Sequence, residues 1–115
     1  MSNTEFQIVA GKAENQLFPV VVRLDDGGFV VIWESSIQES SFRIYGQRYS
    51  ADNYAADGEF QISTDKNSYQ IMPSAAALND GGFVVAWLSY SNDLLSYKIL
   101  AQRYDSSGNT AGAEF

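Results

Sequence analysis

A ten-residue segment occurs twice in this chain, and this repetition constrains the fold more than any other feature. The first copy, residues 24–33, reads LDDGGFVVIW, and the second, residues 78–87, reads LNDGGFVVAW. In both copies an Asp or Asn, an Asp and two glycines separate hydrophobic runs. Because glycine adopts the positive φ that tight turns require, each copy is predicted to form a β-hairpin turn that leads into a strand.

The duplication extends over nearly all 115 residues. The matching blocks are residues 6–8 with 60–62, Pro19 with Pro73, Trp33 with Trp87, residues 47–49 with 102–104, and residues 59–60 with 114–115. Equivalent residues are 54 positions apart up to Trp87 and 55 apart from residue 97 onward, since one residue is inserted in the polar stretch 89–96. We therefore divide the chain into two repeats, residues 1–58 and 59–115.

Each repeat is predicted to contain four short strands and no helix, because strand-forming residues dominate and no segment keeps a helical spacing. The predicted strands are residues 5–9, 17–24, 29–35, 42–49, 59–63, 71–78, 83–89 and 97–104, with a stub at 114–115. Residues 29–33 are apolar at every position, which indicates burial on both faces of the strand. The stretches 35–41, 50–58 and 89–96 are predicted to be loops.

We therefore predict an all-β fold of two four-stranded antiparallel β-propeller blades. Four strands in a unit of about 40–50 residues are typical of a blade that stacks between two others. Two blades cannot close a ring, and they would leave large apolar faces in water. A homo-oligomer, with a trimer favoured, is expected to complete the ring; the alternative is a piece of a longer repeat array. Residues 5–9, of the same or a neighbouring chain, are expected to supply the second blade's missing strand.

Composition and charge exclude several classes of function. The chain has 7 basic and 14 acidic residues and a formal charge of −7, so nucleic-acid binding is not expected. It has no Cys and no His, which excludes disulfides, thiol chemistry and a Ser-His-Asp triad. No apolar run approaches the roughly 18 residues of a membrane helix, and no signal peptide is visible. We expect no cofactor and no membrane insertion.

The repeated text resembles the tandem repeats of large bacterial surface and secreted proteins. Units of that family run roughly P-x-V-A-x-L-x-D-G-G-F-V-V-x-W, I-Y-x-Q-R-Y-D-x-x-G and G-x-E-F-x-V-N-T. The second repeat matches with PSAAALNDGGFVVAW, ILAQRYDSSGN and AGAEF, and the first with FPVVVRLDDGGFVVIW, IYGQRYS and GEFQIST. The resemblance implies a secreted or cell-surface protein with a binding or scaffold role. The family's calcium association is not carried over, because Ser50 stands where the family prefers Asp.

Three residues recur once per repeat and form the candidate ligand-binding set. They are Trp33, Arg48 and Glu59 in one set and Trp87, Arg103 and Glu114 in the other; Glu59 is the first residue of the second repeat and aligns with Glu114. An exposed indole is a flat platform for a sugar ring, and a guanidinium binds hydroxyls or carboxylates in a bidentate manner. The alternative is structural: the indoles pack between blades, and each Arg pairs with Glu59 or Glu114 to hold strands in register.

The remaining polar candidates have weaker patterns. The turn residues Asp25, Asp26, Asn79 and Asp80 lack the spacing of a calcium-binding loop, and turn chemistry explains them. The loops 35–41 and 89–96 differ between repeats, as recognition loops do, and Glu39, Tyr90 and Asp93 are candidates within them. Asp52 and Asp57 are a conceivable carboxylate pair for glycoside hydrolysis, but nothing in the sequence positions them.

The sequence thus predicts a non-catalytic binding module, a lectin-like, carbohydrate-binding oligomeric β-propeller. The alternative is a structural or adhesion repeat of a larger secreted bacterial protein, with other protein segments as partners and no small-molecule ligand. The exposure of the Trp and Arg side chains distinguishes the two. Side chains that reach solvent favour glycan binding, whereas side chains closed off between blades favour the structural role.

Overall fold

All regular structure in this protein is β-sheet within the residues that its computed structural model describes, 15–38, 41–52, 58–63, 69–91 and 96–115. The strands are β1 (Asn15–Arg23), β2 (Phe29–Gln38), β3 (Ser41–Tyr49), β4 (Phe60–Gln61), β5 (Tyr69–Ala77), β6 (Phe83–Ser91) and β7 (Ser96–Tyr104). They form two antiparallel sheets: sheet 1, in the order β1-β2-β3-β4, and sheet 2, in the order β5-β6-β7. The predicted all-β class is confirmed.

The two repeated turns have the same geometry, and in each an Asp side chain accepts a hydrogen bond from a backbone N–H. In the first turn the Gly28 N–H donates to Asp26 Oδ1 at 2.8 Å, and Gly27 has a φ of 87°. In the second turn the Gly82 N–H donates to Asp80 Oδ1 at 2.9 Å. The predicted hairpin turns are therefore found at both positions, where the carboxylates satisfy backbone donors.

A β-bulge also recurs at the same place in both repeats. Phe18 and Met72 are the non-glycine residues with positive φ in the described part of the chain, 53° and 56°. Each immediately precedes a proline, and the register of β1 with β2 and of β5 with β6 shifts there. The bulge re-aims the first strand of each sheet.

The hairpin arms are longer than the sequence predicts. Residues 35–41 are predicted to be a loop, whereas β2 continues to Gln38 and β3 begins at Ser41. In sheet 2, Tyr90 belongs to β6 and stacks on Tyr97 of β7, with ring centroids 4.7 Å apart. Backbone pairing extends through these polar segments because ladder hydrogen bonds do not depend on apolar side chains. Glu39, Asp57, Asp93 and the predicted strand 5–9 lie outside the described residues.

The fourth strand position of each sheet is occupied differently. In sheet 1 it is β4, which pairs with β3 through Gly46↔Phe60 and so brings the start of the second repeat into the first sheet. Sheet 2 has a ladder of three strands within the described residues. Residues 5–9, which were predicted to supply its fourth strand, lie outside them. The predicted stub contributes one residue, Phe115, which exchanges two backbone hydrogen bonds with Ala101, at 2.6 and 2.9 Å.

The two sheets stack face to face around one hydrophobic core. The core residues of sheet 1 and its edges are Val22, Leu24, Val30, Ile32, Ile44 and Ile62, and those of sheet 2 are Phe83, Val85, Trp87 and Tyr104. A second, smaller cluster contains Val31, Trp33 and Tyr49, with Phe29 and Tyr45 packed against it. Because successive residues of a strand point to opposite faces, these two clusters bury β2 on both sides, as the sequence predicts for residues 29–33.

Candidate interaction surface

Both tryptophans are enclosed in the folded chain. The exposed fraction is 3% for Trp33 and 1% for Trp87. The Trp87 Nε1–H donates to Oε1 of the fully buried Gln70 at 2.6 Å, so the polar end of this indole is used inside the core. In this fold neither indole offers a face to a sugar ring. Trp87 packs between the two sheets, as in the structural alternative, whereas Trp33 lies in the smaller cluster on the other side of sheet 1.

Arg48 joins the two sheets. Its Nη1 donates to the backbone oxygen of Ser107 at 2.9 Å, and its Nη2 donates to that of Ser106 at 3.4 Å. Both acceptors lie in the turn after β7, which is held by Asp105 Oδ1 accepting from the N–H groups of Ser107 and Asn109. Since β3 belongs to sheet 1 and this turn to sheet 2, the guanidinium acts as a link between the sheets.

Arg103 is placed differently from its repeat equivalent. Its Nη2 lies 3.5 Å from Asp80 Oδ2, and the two side chains are 50% and 58% exposed. The turn carboxylate of Asp80, which the sequence did not indicate as a partner, approaches Arg103 because β7 pairs with β6 so that Arg103 lies opposite Val84, close to this turn. An exposed pair of this kind contributes at most about 1 kcal/mol.

Glu59 and Glu114 each act electrostatically on the tyrosine that ends the third strand of a sheet, Tyr49 of β3 and Tyr104 of β7. Burial and, to a smaller extent, the negative charge of Glu114 together raise the pKa of Tyr104 to about 12. Burial, followed by the charge of Glu59, raises the pKa of Tyr49. Of the six candidate residues, Trp33 and Trp87 lie in different hydrophobic clusters, and Arg48 and Arg103 lie in β3 of sheet 1 and β7 of sheet 2.

Glu34 is a buried carboxylate that the sequence did not single out. Its side chain is almost fully buried, and its Oε1 accepts a hydrogen bond from the Met72 N–H at 3.0 Å, between the sheets. Burial raises its pKa, while the hydrogen bond from Met72 lowers it to a smaller extent. A signal was present in the sequence: Glu34 directly follows an apolar strand, and Leu88 takes its place in the second repeat.

Sheet 2 has an apolar face turned away from sheet 1, which we call the open face. Cross-strand pairing in β6 and β7 places Val84, Ala86, Leu88, Ile99, Ala101 and Arg103 on it. Around Ile99 it contains a groove of about 270 Å³. The groove is lined by Met72, Ser74, Ala86, Trp87, Leu88 and Ile99. Such a surface can hold an apolar partner.

The open face is exposed at positions where sheet 1 is covered. Tyr97, Ile99 and Phe115 are 63%, 70% and 66% exposed. Their repeat equivalents are Phe42, Ile44 and Phe60, of which Ile44 is fully buried and the other two are half-buried. Sheet 2 covers the three residues of sheet 1, whereas no described residue range provides a third sheet over the open face.

Comparisons of this chain with protein-family models, curated proteins and solved structures found no match. Within the described ranges, no helix is long and apolar enough to cross a membrane. Across the same residues, no three Asp or Glu side chains converge as metal ligands would. The surface described above is therefore the feature from which a function can be argued.

Proposed function

We propose that this chain is a non-catalytic structural repeat module that works by stacking its β-sheets face to face. Its two sheets are consecutive blades of a propeller-like ring that further copies of the chain complete, a trimer giving six blades. The observation that carries the proposal is the exposure of Tyr97, Ile99 and Phe115 at positions whose repeat equivalents are covered by a neighbouring sheet. A contiguous apolar face of this kind marks an interaction site.

The side chains at the junction of the two sheets support the same role. Trp87 packs between the sheets, and Arg48 binds the turn of the next sheet. Glu34 accepts a hydrogen bond from the N–H of Met72, the bulge residue of β5, across the junction of the two sheets. Each of these side chains is engaged in holding one sheet on another. The resemblance to repeats of bacterial surface and secreted proteins agrees with a scaffold or adhesion role outside the cell.

Carbohydrate binding stays a prediction, and the geometry supports it less well than stacking. A sugar platform needs an indole in solvent, and both Trp33 and Trp87 are buried. Propeller lectins that bind between blades would place such a platform at the blade junction, where Trp87 instead donates to Gln70. The stacking role therefore accounts for more of the observed contacts.

Two measurements on the whole chain test the proposal. Analytical ultracentrifugation over a range of protein concentrations is expected to show reversible assembly above the 12.7 kDa of a single chain. Titration with a panel of mono- and oligosaccharides, followed by intrinsic tryptophan fluorescence, is expected to show no saturable change. A chain that stays monomeric at every concentration would overturn the stacking role, and saturable sugar binding would favour the lectin interpretation.

A further inference from the structure

We propose that two copies of this chain pair through their open faces in a two-fold symmetric, antiparallel contact. The bulky half of each open face packs on the small half of the other. This inference rests on the proposed stacking function and names the partner of the open face, which is a second open face. The assembly then ends at two chains and four stacked sheets, in place of a ring.

The open face is divided into these two halves along the direction of its strands. Cross-strand pairing arranges its side chains in four rows, which run from Tyr97 at one end of β7 to Arg103 at the other. The two rows of the bulky half are Tyr69, Tyr90 and Tyr97, then Met72, Leu88 and Ile99. The two rows of the small half are Ser74, Ala86 and Ala101, then Ala76, Val84 and Arg103.

The bulky half projects into solvent and the small half is recessed. Met72, Tyr97 and Ile99 are each more than half exposed. The groove around Ile99 extends beside them to Ser74 and Ala86. A face with a projecting half next to a recessed half is complementary to a second copy of itself turned through 180°.

A two-fold axis between the second and third rows, perpendicular to the strands and in the plane of contact, matches the two halves. Ile99 then lies over Ala101 of the second copy, and Leu88 lies over Ala86 of the second copy. Sheets that pack face to face keep their strands within about 30° of each other, so the rows stay matched near the axis. An axis along the strands would place bulky rows on bulky rows and leave the small rows apart.

The other surface that could cover the open face is not free. A ring would place the outer side of sheet 1 of the next copy there. Val31, Trp33 and Tyr49 on that side are buried within the single chain, so a second copy cannot present them. The open face, in contrast, is exposed in every copy.

Differences between the two repeats sharpen the division of the open face. In the first row, Tyr90 stands where sheet 1 has Ser36, which enlarges the bulky half. In the third row, Ala86 stands where sheet 1 has Ile32, which deepens the small half. The open face therefore differs from the equivalent face of sheet 1 in the way that a self-complementary surface requires.

Charge also favours this contact. The chain has 14 acidic residues and a formal charge of −7, whereas none of the side chains in the four rows is acidic and Arg103 is the one charged residue among them. The two-fold axis places the ring of Tyr97 of the second copy over Arg103. A guanidinium on the face of an aromatic ring is attracted by it, so this pair stabilises the contact at each end.

The area of the open face suits a reversible dimer. Met72, Tyr97, Ile99 and Phe115, the last of which pairs with Ala101 at the sheet edge, are between 59% and 70% exposed. Since a large side chain offers roughly 150–250 Å², these four expose on the order of 500 Å² before the other rows are counted. Specific complexes bury about 800 Å² per partner, so we expect a dimer that forms and dissociates with concentration.

Exchanging Leu88 and Ala86 tests the pairing across the axis. Leu88→Ala removes apolar contact, and Ala86→Leu places two leucines against each other. Because each change occurs twice in a dimer, each is expected to raise the dissociation constant by about 30-fold or more. The double variant Ala86→Leu with Leu88→Ala again places a leucine over an alanine, so its dissociation constant should lie within about fivefold of the original. Sedimentation measures all three, and far-UV circular dichroism with the melting temperature controls for folding.

Cross-linking identifies the orientation, because the chain has no cysteine. In the two-fold contact Tyr97 lies over Arg103 of the second copy, whereas the Tyr97 residues of the two copies are about 20 Å apart, at about 3.3 Å for each residue along the strand. Tyr97→Cys and Arg103→Cys chains are mixed and treated with a short bis-maleimide. The expected result is a cross-linked dimer in the mixture and much less in either variant alone.

Sedimentation of the unmodified chain separates this contact from the stacking function in general. The expected species is a dimer in equilibrium with the monomer. A trimer or larger species, a double variant no better than the single variants, or cross-linked dimers mainly from Tyr97→Cys alone would overturn the two-fold contact while leaving a stacking function in place. Absence of any self-association in the unmodified chain would overturn both.

Discussion

The second glycine of each repeated turn is predicted to be essential for stability, and Gly82→Ala tests this. A Cβ at Gly82 would overlap the backbone oxygen of Tyr104 and lie 3.1 Å from the carbonyl carbon and Cα of Asp105. These are backbone atoms, held by the β6–β7 ladder and by the bond from the Asp105 N–H to Asn109 O at 2.8 Å. They cannot move aside as a flexible side chain would.

The magnitude follows from two terms. Inserting a methyl group into a packed site costs about 1–3 kcal/mol. Displacing the turn also weakens the hydrogen bond from the Gly82 N–H to Asp80 Oδ1, which contributes about 1 kcal/mol. The free energy of unfolding should therefore fall by about 2–4 kcal/mol, and the melting temperature by about 10 °C or more, since 1 kcal/mol shifts the melting temperature of a domain of this size by about 4–8 °C.

Thermal unfolding followed by circular dichroism, at one fixed protein concentration, measures the effect. The matched control is Gly58→Ala, because a Cβ there meets no atom within 4 Å, and its melting temperature should change by no more than about 3 °C. Gly28→Ala alters the equivalent turn of the first repeat, where the added Cβ would overlap the backbone oxygen of Tyr49, and it should behave like Gly82→Ala. If Gly82→Ala and Gly58→Ala melted at the same temperature, the close-packed turn would be the wrong explanation for the repeated glycines.

Two further predictions concern buried polar groups. Because burial raises the folded-state pKa of Glu34 above its usual 4.5, its stabilisation is complete at acidic pH below 4.5 and is lost as pH rises through the raised value. Glu34→Gln keeps an amide oxygen to accept from the Met72 N–H but has no carboxyl group to titrate. Its free energy of unfolding, measured in urea, should therefore fall less with rising pH than that of the unmodified chain. The same pH dependence in both proteins would contradict this. Trp87→Phe removes the indole N–H that donates to Gln70 Oε1 and should cost about 1–3 kcal/mol. The double variant with Gln70→Leu should recover part of this cost, and no recovery would argue against the hydrogen bond as its cause.

Local chemistry made much of the architecture predictable from sequence. The Asp-Gly-Gly turns were found at both positions because each depends only on neighbouring residues. The Asp side chain accepts a hydrogen bond from the N–H of the glycine two residues later, and the glycine between them adopts the positive φ. Burial of β2 on both faces followed from an unbroken apolar run, since a strand exposes alternate residues to opposite sides. The fourth strand of sheet 1 followed from the phase of the repeat, which places residues 59–63 after the first three strands.

The contacts between sheets were not predictable in the same way. The hydrogen bond from Met72 to Glu34 joins residues 38 positions apart in sequence. Which carboxylate approaches Arg103 depends on the register of β6 with β7 and on the position of the turn before β6. Periodicity states which residues share a face, but it does not state which neighbour that face meets. For the same reason, the burial of both tryptophans was one of two open alternatives in the sequence.

The differences between the two repeats bear on whether the open face is a water-facing surface. On the other face, Phe29, Val31, Trp33 and Tyr49 recur as Phe83, Val85, Trp87 and Tyr104, whereas Tyr45 is replaced by Leu100. On the open face, Leu88 replaces a glutamate that is hydrogen-bonded in sheet 1. A leucine in place of a carboxylate adds exposed apolar area, which raises the tendency of a protein to associate. This substitution is therefore unfavourable on a surface that only contacts water. Ala86 in place of Ile32 also opens the groove around Ile99. Both changes are those of a surface fitted to an apolar partner, which favours a second sheet over solvent as the neighbour of this face.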